Sequence, residues 1–366
     1  MSTELKYLIA LTQIAGIGPI VGKELLRFFG CAEAIFQEKP ETLSKIKRYG
    51  QHLADGVSSQ NLMNRAEAEL EFMDREGILG ISISDHRYPE WLKECPDSPA
   101  VLFLKGGGRL NEEKAVSIVG SREATGYGKE FVEELVRELS RFNVAIHSGL
   151  AYGIDITAHK EALRNGLPTY CTLAHGLDRI YPKKHTKFAN QMLAEGGWIT
   201  EFMSGTTPDR ENFPKRNRIV AGITEATIVV ESARKGGAII TANIANTYGR
   251  EVFAVPGRVA DERSKGCNFL IKTNRAHLLQ TPEDLIRMMG WESKKSKLIQ
   301  TRLFPDLTDN QVKIVESMQS QDQLTMDELV HVLNRPISDV STDLLLMEFK
   351  GMVRQLPGKK FELCNQ

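Results

Sequence analysis

The sequence predicts an α/β chain: a Rossmann-like, doubly wound, mostly parallel sheet, with a helical N-terminal domain and a winged-helix C-terminal domain. Three observations carry this expectation. Between about residues 113 and 290, short apolar runs alternate with amphipathic stretches, as expected for parallel strands covered by helices on both faces. Before that block, apolar residues recur at helical spacing. After it, a polar stretch leads into three helical patterns and a two-strand pattern. The expected boundaries are 1–75 for the helical domain, 76–290 for the sheet domain with its lead-in connector, 291–304 for a linker and 305–366 for the winged helix.

In the N-terminal part, "LKYLIALTQIAGIGPIVGKELLRFFG" breaks at Gly16, Gly18 and Pro19, which predicts a tight turn between two short helices. Such a turn reads either as a helix-hairpin-helix offering backbone N–H groups to a DNA phosphate or as a plain packing hairpin. The stretch "HRYPEWLKECPDSPAVLFLKG" reads as an extended connector containing one strand, "VLFL".

The six buried-strand candidates are "AVSIVG", "NVAIHSG", "TYCTLAHG", "GWITEF", "ATIVVES" and "EVFAVPG". The polar stretch "WESKKSKLIQTRLFPD" predicts the linker. Beyond it Thr308 and Thr325 are expected helix N-caps, and Pro357 and Gly358 the turn of the wing. The third helical pattern carries Asp339, Asp343 and Glu348, which would repel a duplex backbone. Protein contact or a structural role is therefore expected of this domain.

Composition bounds the function. The 366 residues are 41% hydrophobic and 26% charged, with zero net charge, the balance of a folded soluble chain. The N-terminus lacks the basic head and small-residue cleavage site of a signal peptide. Cys31, Cys95, Cys171, Cys267 and Cys364 form no C-x-x-C pair, which suggests neither a zinc site nor a disulfide framework and fits a reducing cytoplasm.

Ligands of open α/β sheets bind at the carboxyl ends of the strands. Phosphate chemistry is concentrated there. Gly120, Ser121 and Arg122 follow the first strand, and "SGLAYGID" follows the second. Gly176, Lys183, Lys184 and Phe188 follow the third; Lys215, Arg216, Asn217 and Arg218 follow the fourth; Lys235, Gly236 and Gly237 follow Glu231 after the fifth. Glycines admit a phosphate close to the backbone, and several cationic loops suit a polymer with one charge per nucleotide better than a single dinucleotide. Tyr181 and Phe188 are candidate stacking rings for bases, Phe188 reading equally as helix core. Arg216 and Arg218 flank Asn217 near an expected helix start, a poor place for cations in terms of helix stability, so a functional role is expected of them. Glu231 reads as a structural partner of one of the arginines, and His159 and His175 as packed residues. No Ser-His-Asp order, metal-ligand spacing, Walker loop or G-x-G-x-x-G fingerprint is present.

Together "SIVGSREATGYG", "HSGLAYGIDITAHKEAL", "GLDRIYP", "ITEFMSGTTPDRENFPKRNRIVAGIT", "VVESARKGGAIITANIANTYGREVFAVPG" and "SKGCNFLI" resemble the DNA-processing protein A (DprA/Smf) family over nearly the whole chain. The resemblance implies a non-enzymatic, cofactor-free, cytoplasmic homodimer. Such a protein binds single-stranded DNA, protects incoming strands in natural transformation and loads the RecA recombinase. By motif, Ser121 and Arg122 would hold one phosphate and Lys183 or Lys184 the next. Lys215, Arg216 and Arg218 would line the pocket, with Gly236 and Gly237 approaching by backbone. His175, His185, Lys235 and the pair Asn274-Arg275 depart from the family pattern. The alternative is a phosphoribohydrolase-like enzyme using Glu231 and "KGGAIIT". A winged-helix regulator using the sheet as a ligand sensor is a third reading.

Overall fold

The computed structural model describes residues 3–291, 307–319, 323–356 and 360–364. Most of the expected linker, 292–304, and the expected wing turn at Pro357 and Gly358 lie outside the described residues. The chain divides into two compact units, Met1–Glu292 and Ser293–Gln366.

The first unit begins with six helices: α1 (Thr3–Thr12), α2 (Pro19–Phe29), α3 (Ala32–Gln37), α4 (Pro40–Leu43), α5 (Gly50–Val57) and α6 (Gln60–Glu76). The turn before α2 forms as expected. Gly16 takes a positive φ of 83°, and Pro19, which has no N–H to lose, opens α2. These helices are fastened to the sheet that follows. The buried Glu69 carboxylate accepts from the Ser204 backbone N–H (2.9 Å), and Arg65 donates to the Ser204 carbonyl (2.6 Å). Lys23 donates to the carbonyls of Lys93 and Cys95 and to the Ser98 hydroxyl.

The sheet has nine strands. After β1 (Ile78–Ser82) come α7 (Glu90–Glu94), β2 (Val101–Lys105) and β3 (Ala115–Gly120). Next are α8 (Gly126–Ser140), β4 (Ala145–Ser148), α9 (Ile154–Arg164), β5 (Thr169–Thr172), a 3-10 turn (Lys183–His185) and α10 (Thr186–Met192). The unit ends with β6 (Gly197–Thr200), α11 (Asn212–Gly222), β7 (Ala226–Val230), α12 (Gly237–Thr247), β8 (Glu251–Ala254), α13 (Lys265–Lys272), β9 (His277–Leu278) and α14 (Pro282–Met288). All six strand candidates are strands. The spatial order is β1-β2-β6-β5-β4-β3-β7-β8-β9. Seven strands, from β6 to β9, run parallel, and β2 and β1 extend the sheet antiparallel.

Two corrections concern short edge elements. The connector holds a helix, α7, and two strands the sequence reading missed lie at the sheet edges: β1, an apolar run (ILGIS) directly after α6, and the two-residue β9. The central strands read clearly because they are buried on both faces: β7 is buried at every residue, as are β4, β5 and β6. On one face, α8, α9 and α14 pack Val132, Leu135, Ala158 and Leu285 against Ile118, Ile146 and Ile228. On the other, α11, α12 and α13 pack Val220, Ala242 and Leu270 against Val119 and Val229.

The strand order reverses at β3. The chain steps from β3 to β4 on one side and later to β7 on the other, so β3 and β7 flank the switch point. Their register, Val116↔Ala226 to Gly120↔Val230, brings the loops after both strands to one crevice.

The second unit contains α15 (Asp309–Gln319), β10 (Leu324–Thr325), α16 (Met326–Leu333), α17 (Ile337–Phe349), β11 (Val353–Leu356) and β12 (Lys360–Leu363). Three helices and a small antiparallel sheet in the order β10-β12-β11 make a winged helix around Ile314, Leu329, Leu344, Met347 and Phe361. Both expected caps form: Thr325 shares a reciprocal capping box with Glu328, and the Thr308 hydroxyl accepts from the Gln311 N–H (3.3 Å). On α17, Asp343 is paired with Arg335 (2.8 Å). No helix among the described residues is long and apolar enough to cross a membrane.

Candidate nucleic-acid interface

The turn after β3 is built for close approach. The Ser121 carbonyl accepts from the Ile154 N–H at the start of α9, and the Ser121 hydroxyl accepts from the Glu123 N–H (3.1 Å). Gly153 passes beneath the turn with a φ of 75°, and a Cβ there would lie 2.1 Å from the Ser121 oxygen. A side chain at Gly120 would likewise strike the Val230 carbonyl of β7. Arg122 emerges exposed from this turn, its guanidinium 5.6 Å from the centre of the Phe213 ring. The Tyr181 ring lies 6.3 Å beyond Phe213 and is 49% exposed, so its face is available to a base.

The loop after β5 continues this surface. Lys183 and Lys184, exposed on the 3-10 turn, follow Tyr181 and Pro182. His185 is buried and donates through Nδ1 to the Leu150 carbonyl (2.8 Å), while Tyr152, 44% exposed, meets its ring edge-on at 4.9 Å. The departure at His185 therefore ties the loop after β4 to the loop after β5. That at His175 is local: its Nδ1 donates to the Gly176 carbonyl (2.8 Å), and Gly176 is buried against the Met203 carbonyl.

Arg216 and Arg218 are the main revision to the expected set. Helix α11 starts at Asn212, so both stand in its second turn, clear of the positive end of the helix dipole. The Arg216 side chain is buried, and Nη1 donates to the carbonyls of Gly149 (2.7 Å) and Thr172 at the ends of β4 and β5. Its Nε donates to Asn217 Oδ1 (3.2 Å). Burial lowers the Arg216 pKa, against the opposing charge of the buried Asp155. Gly149 is needed here because a Cβ would lie 2.6 Å from the guanidinium. Arg218 is buried in an ion pair with Glu201 and donates to the Asp97 carbonyl. These two arginines join strand ends to one another and do not face an approaching strand. Lys215, on the same helix, is exposed.

Phe188 is likewise turned into the structure, half-buried against the cluster that holds Leu173, Ala189 and Trp198, with Lys160 over its ring at 4.6 Å. On the far side of β3, Lys235 and Gly237 are exposed and Gly236 caps α12.

Glu231 has a role the sequence reading did not find. It ends β7 with a φ of 55°, a left-handed conformation unfavourable for a side chain of this size. Its carboxylate crosses the switch-point crevice and accepts from the Thr125 N–H (2.9 Å) and the Thr125 hydroxyl, at the N-terminus of α8. No arginine among the described residues forms an ion pair with it. A dinucleotide would place its pyrophosphate at this helix end; here the protein's own carboxylate takes that position.

What remains is a parallel sheet whose dinucleotide position is closed and whose exposed cations alternate with aromatic rings one loop away. That arrangement defines a Rossmann-like protein with an exposed cationic and aromatic rim beside a switch point occupied by its own carboxylate. The family model described as DNA recombination-mediator protein A matches residues 80–290, and that of the DprA winged helix domain matches 301–359. The chain belongs to the DprA/Smf family. Protein Smf of Synechocystis is 30% identical over 398 residues, covering 99% of both chains. DNA processing protein DprA of Bacillus subtilis is 40% identical over 211 residues, covering 57% of this chain and 71% of its own. The X-ray structure of Streptococcus pneumoniae DprA superposes with a TM-score of 0.63 at 30% identity, covering 77% of this chain and 97% of its own. Helicobacter pylori DprA, described with a single-stranded DNA binding mode, gives 0.53 at 26% identity over 58% of this chain and 96% of its own.

Proposed function

We propose that this protein binds single-stranded DNA without catalysing a reaction, protects the bound strand and loads RecA onto it as a homodimer. The observation that carries the reading is the run Arg122–Phe213–Tyr181 with Lys183 and Lys184 beside it. Cations track the backbone while open rings accept unpaired bases, a combination suited to single strands and indifferent to sequence. Ser121, Arg122, Lys183 and Lys184 make the phosphate contacts, and Lys235, Gly236 and Gly237 extend the surface past the crevice. Arg216 and Arg218 hold the strand ends that present it. The single-strand binding described for the Helicobacter pylori relative supports this reading. The engagement of Glu231 with Thr125 disfavours the phosphoribohydrolase alternative, which needs that carboxylate free.

Fluorescence anisotropy of labelled oligo-dT and a matched duplex, across a salt series, tests the reading. Tight single-strand binding with a steep salt slope and a much weaker duplex is expected. Equal affinity for both, or no binding, overturns it. RecA loading is read separately, as faster RecA filament assembly on a strand coated with single-strand-binding protein.

A further inference from the structure

A second site lies away from the Arg122 surface. Between the turn leading into α2 and the sheet is a cavity of about 400 Å³, walled by α2, β2, the loop after β6 and one face of α11. Its volume lies within the range of small-ligand sites. On α11, Phe213 and Lys215 are two positions apart and so project to nearly opposite sides of the helix. Phe213 meets Arg122, whereas Lys215 lines the cavity.

Two polar groups in this wall keep hydrogen-bonding capacity to spare, and the Lys215 charge acts on the Glu201 carboxylate. Lys215 makes no hydrogen bond or ion pair with any described residue. Glu201 gives one carboxylate oxygen to Arg218, but its other oxygen, Oε1, is shut off from solvent and has no donor. An unpaired, dehydrated acceptor is costly, and Glu201 lines the cavity, so a donor bound there could relieve that cost. Val101 and Phe202 also line the cavity and supply apolar surface.

We propose that this cavity binds a single nucleotide, its base N–H edge donating to Glu201 and its phosphate pairing with Lys215. Guanine is the base of choice because N1–H and N2–H both point toward a carboxylate. Thymine would turn two carbonyl oxygens toward the same group and is disfavoured.

Gly22 supplies a clean test. It lines the cavity within α2, and a Cβ there meets nothing within 4 Å, so Gly22→Leu starts from an unhindered Cβ and takes up cavity space. Calorimetric titration of the full chain with dGMP and with dTMP is the measurement. Saturable dGMP binding at least tenfold tighter than dTMP is expected, abolished by Gly22→Leu, weakened at least fivefold by Lys215→Ala and unchanged by Arg122→Ala. Circular dichroism checks that Gly22→Leu is folded; if it is not, Lys215→Ala decides. Absent dGMP binding, equal dGMP and dTMP affinity, full binding by Gly22→Leu, or loss in Arg122→Ala alone would each overturn the proposal. Oligo-dT binding by Arg122→Ala is scored independently, so failure here is distinct from failure of the single-strand reading.

Discussion

Arg122 and Arg216 stand at the same edge of the same sheet and do opposite work. Arg122 leaves a turn with no helix of its own and lies exposed across a ring. Arg216 projects from the second turn of α11 into the sheet and spends its donors on the carbonyls that end β4 and β5. The difference is that one cation at this sheet edge is left exposed while the other is used up inside the protein. What counts is whether the strand ends already use the charge.

The sharpest way to break this comparison is to remove each arginine. Arg216→Ala leaves Asp155 and two carbonyls without their buried partner, and a loss of about 3–5 kcal/mol in unfolding free energy is expected from urea denaturation. Any fall in DNA affinity should then follow the unfolded fraction. A folded Arg216→Ala protein that had lost DNA binding would make Arg216 a direct contact.

The next effect is set by pH. His147, buried with neither ring nitrogen hydrogen-bonded, and His159 are both held by burial at a pKa of about 3. In the unfolded chain they titrate near 6.5. Between these values the unfolded state takes up protons that the folded state refuses, so stability falls as pH falls. The expected slope is about 1.4 kcal/mol per pH unit for each histidine, starting near 6.5 and ending near 3. Denaturation midpoints at pH 7, 6 and 5 check this, and His147→Gln should flatten the slope.

Smaller still is the expected change in Arg122→Ala: about tenfold weaker oligo-dT binding, a salt slope shallower by about 0.7, and stability within about 0.5 kcal/mol of the parent. Anisotropy and thermal melting on one preparation separate the two quantities. Lys184→Ala, on an exposed long side chain, should weaken binding only about two- to fivefold at low salt and less as salt rises.

Much of this was legible in the sequence. The six central strands declare themselves because double-sided burial makes continuous apolar runs, and the exposed turn that carries Arg122 was readable because glycines frame it. Arg216 and Arg218 were not legible. Their partners are backbone carbonyls and a carboxylate contributed by other elements, and the pattern "PKRNR" looks the same whether its cations face water or strand ends. Glu231 was read as an acid beside arginines, because nothing local indicates that the chain bends into a left-handed conformation to reach Thr125, more than a hundred residues earlier. The two-residue edge β9 is too short to show a strand pattern, and β1, though apolar, follows α6 through a single glycine and reads with the helical segment before it.

The carboxylate of Glu231 also gives this molecule a built-in substitute ligand. A helix end that many sheets of this type leave open for a diffusible anion is here permanently occupied by a tethered one. Shortening that tether, as in Glu231→Ala, should vacate the socket and cost about 1–2 kcal/mol, the worth of a lost helix cap. Inorganic phosphate should then return part of the lost stability to the variant while leaving the parent unmoved. The plug thus closes the helix end at the switch point to a second anion.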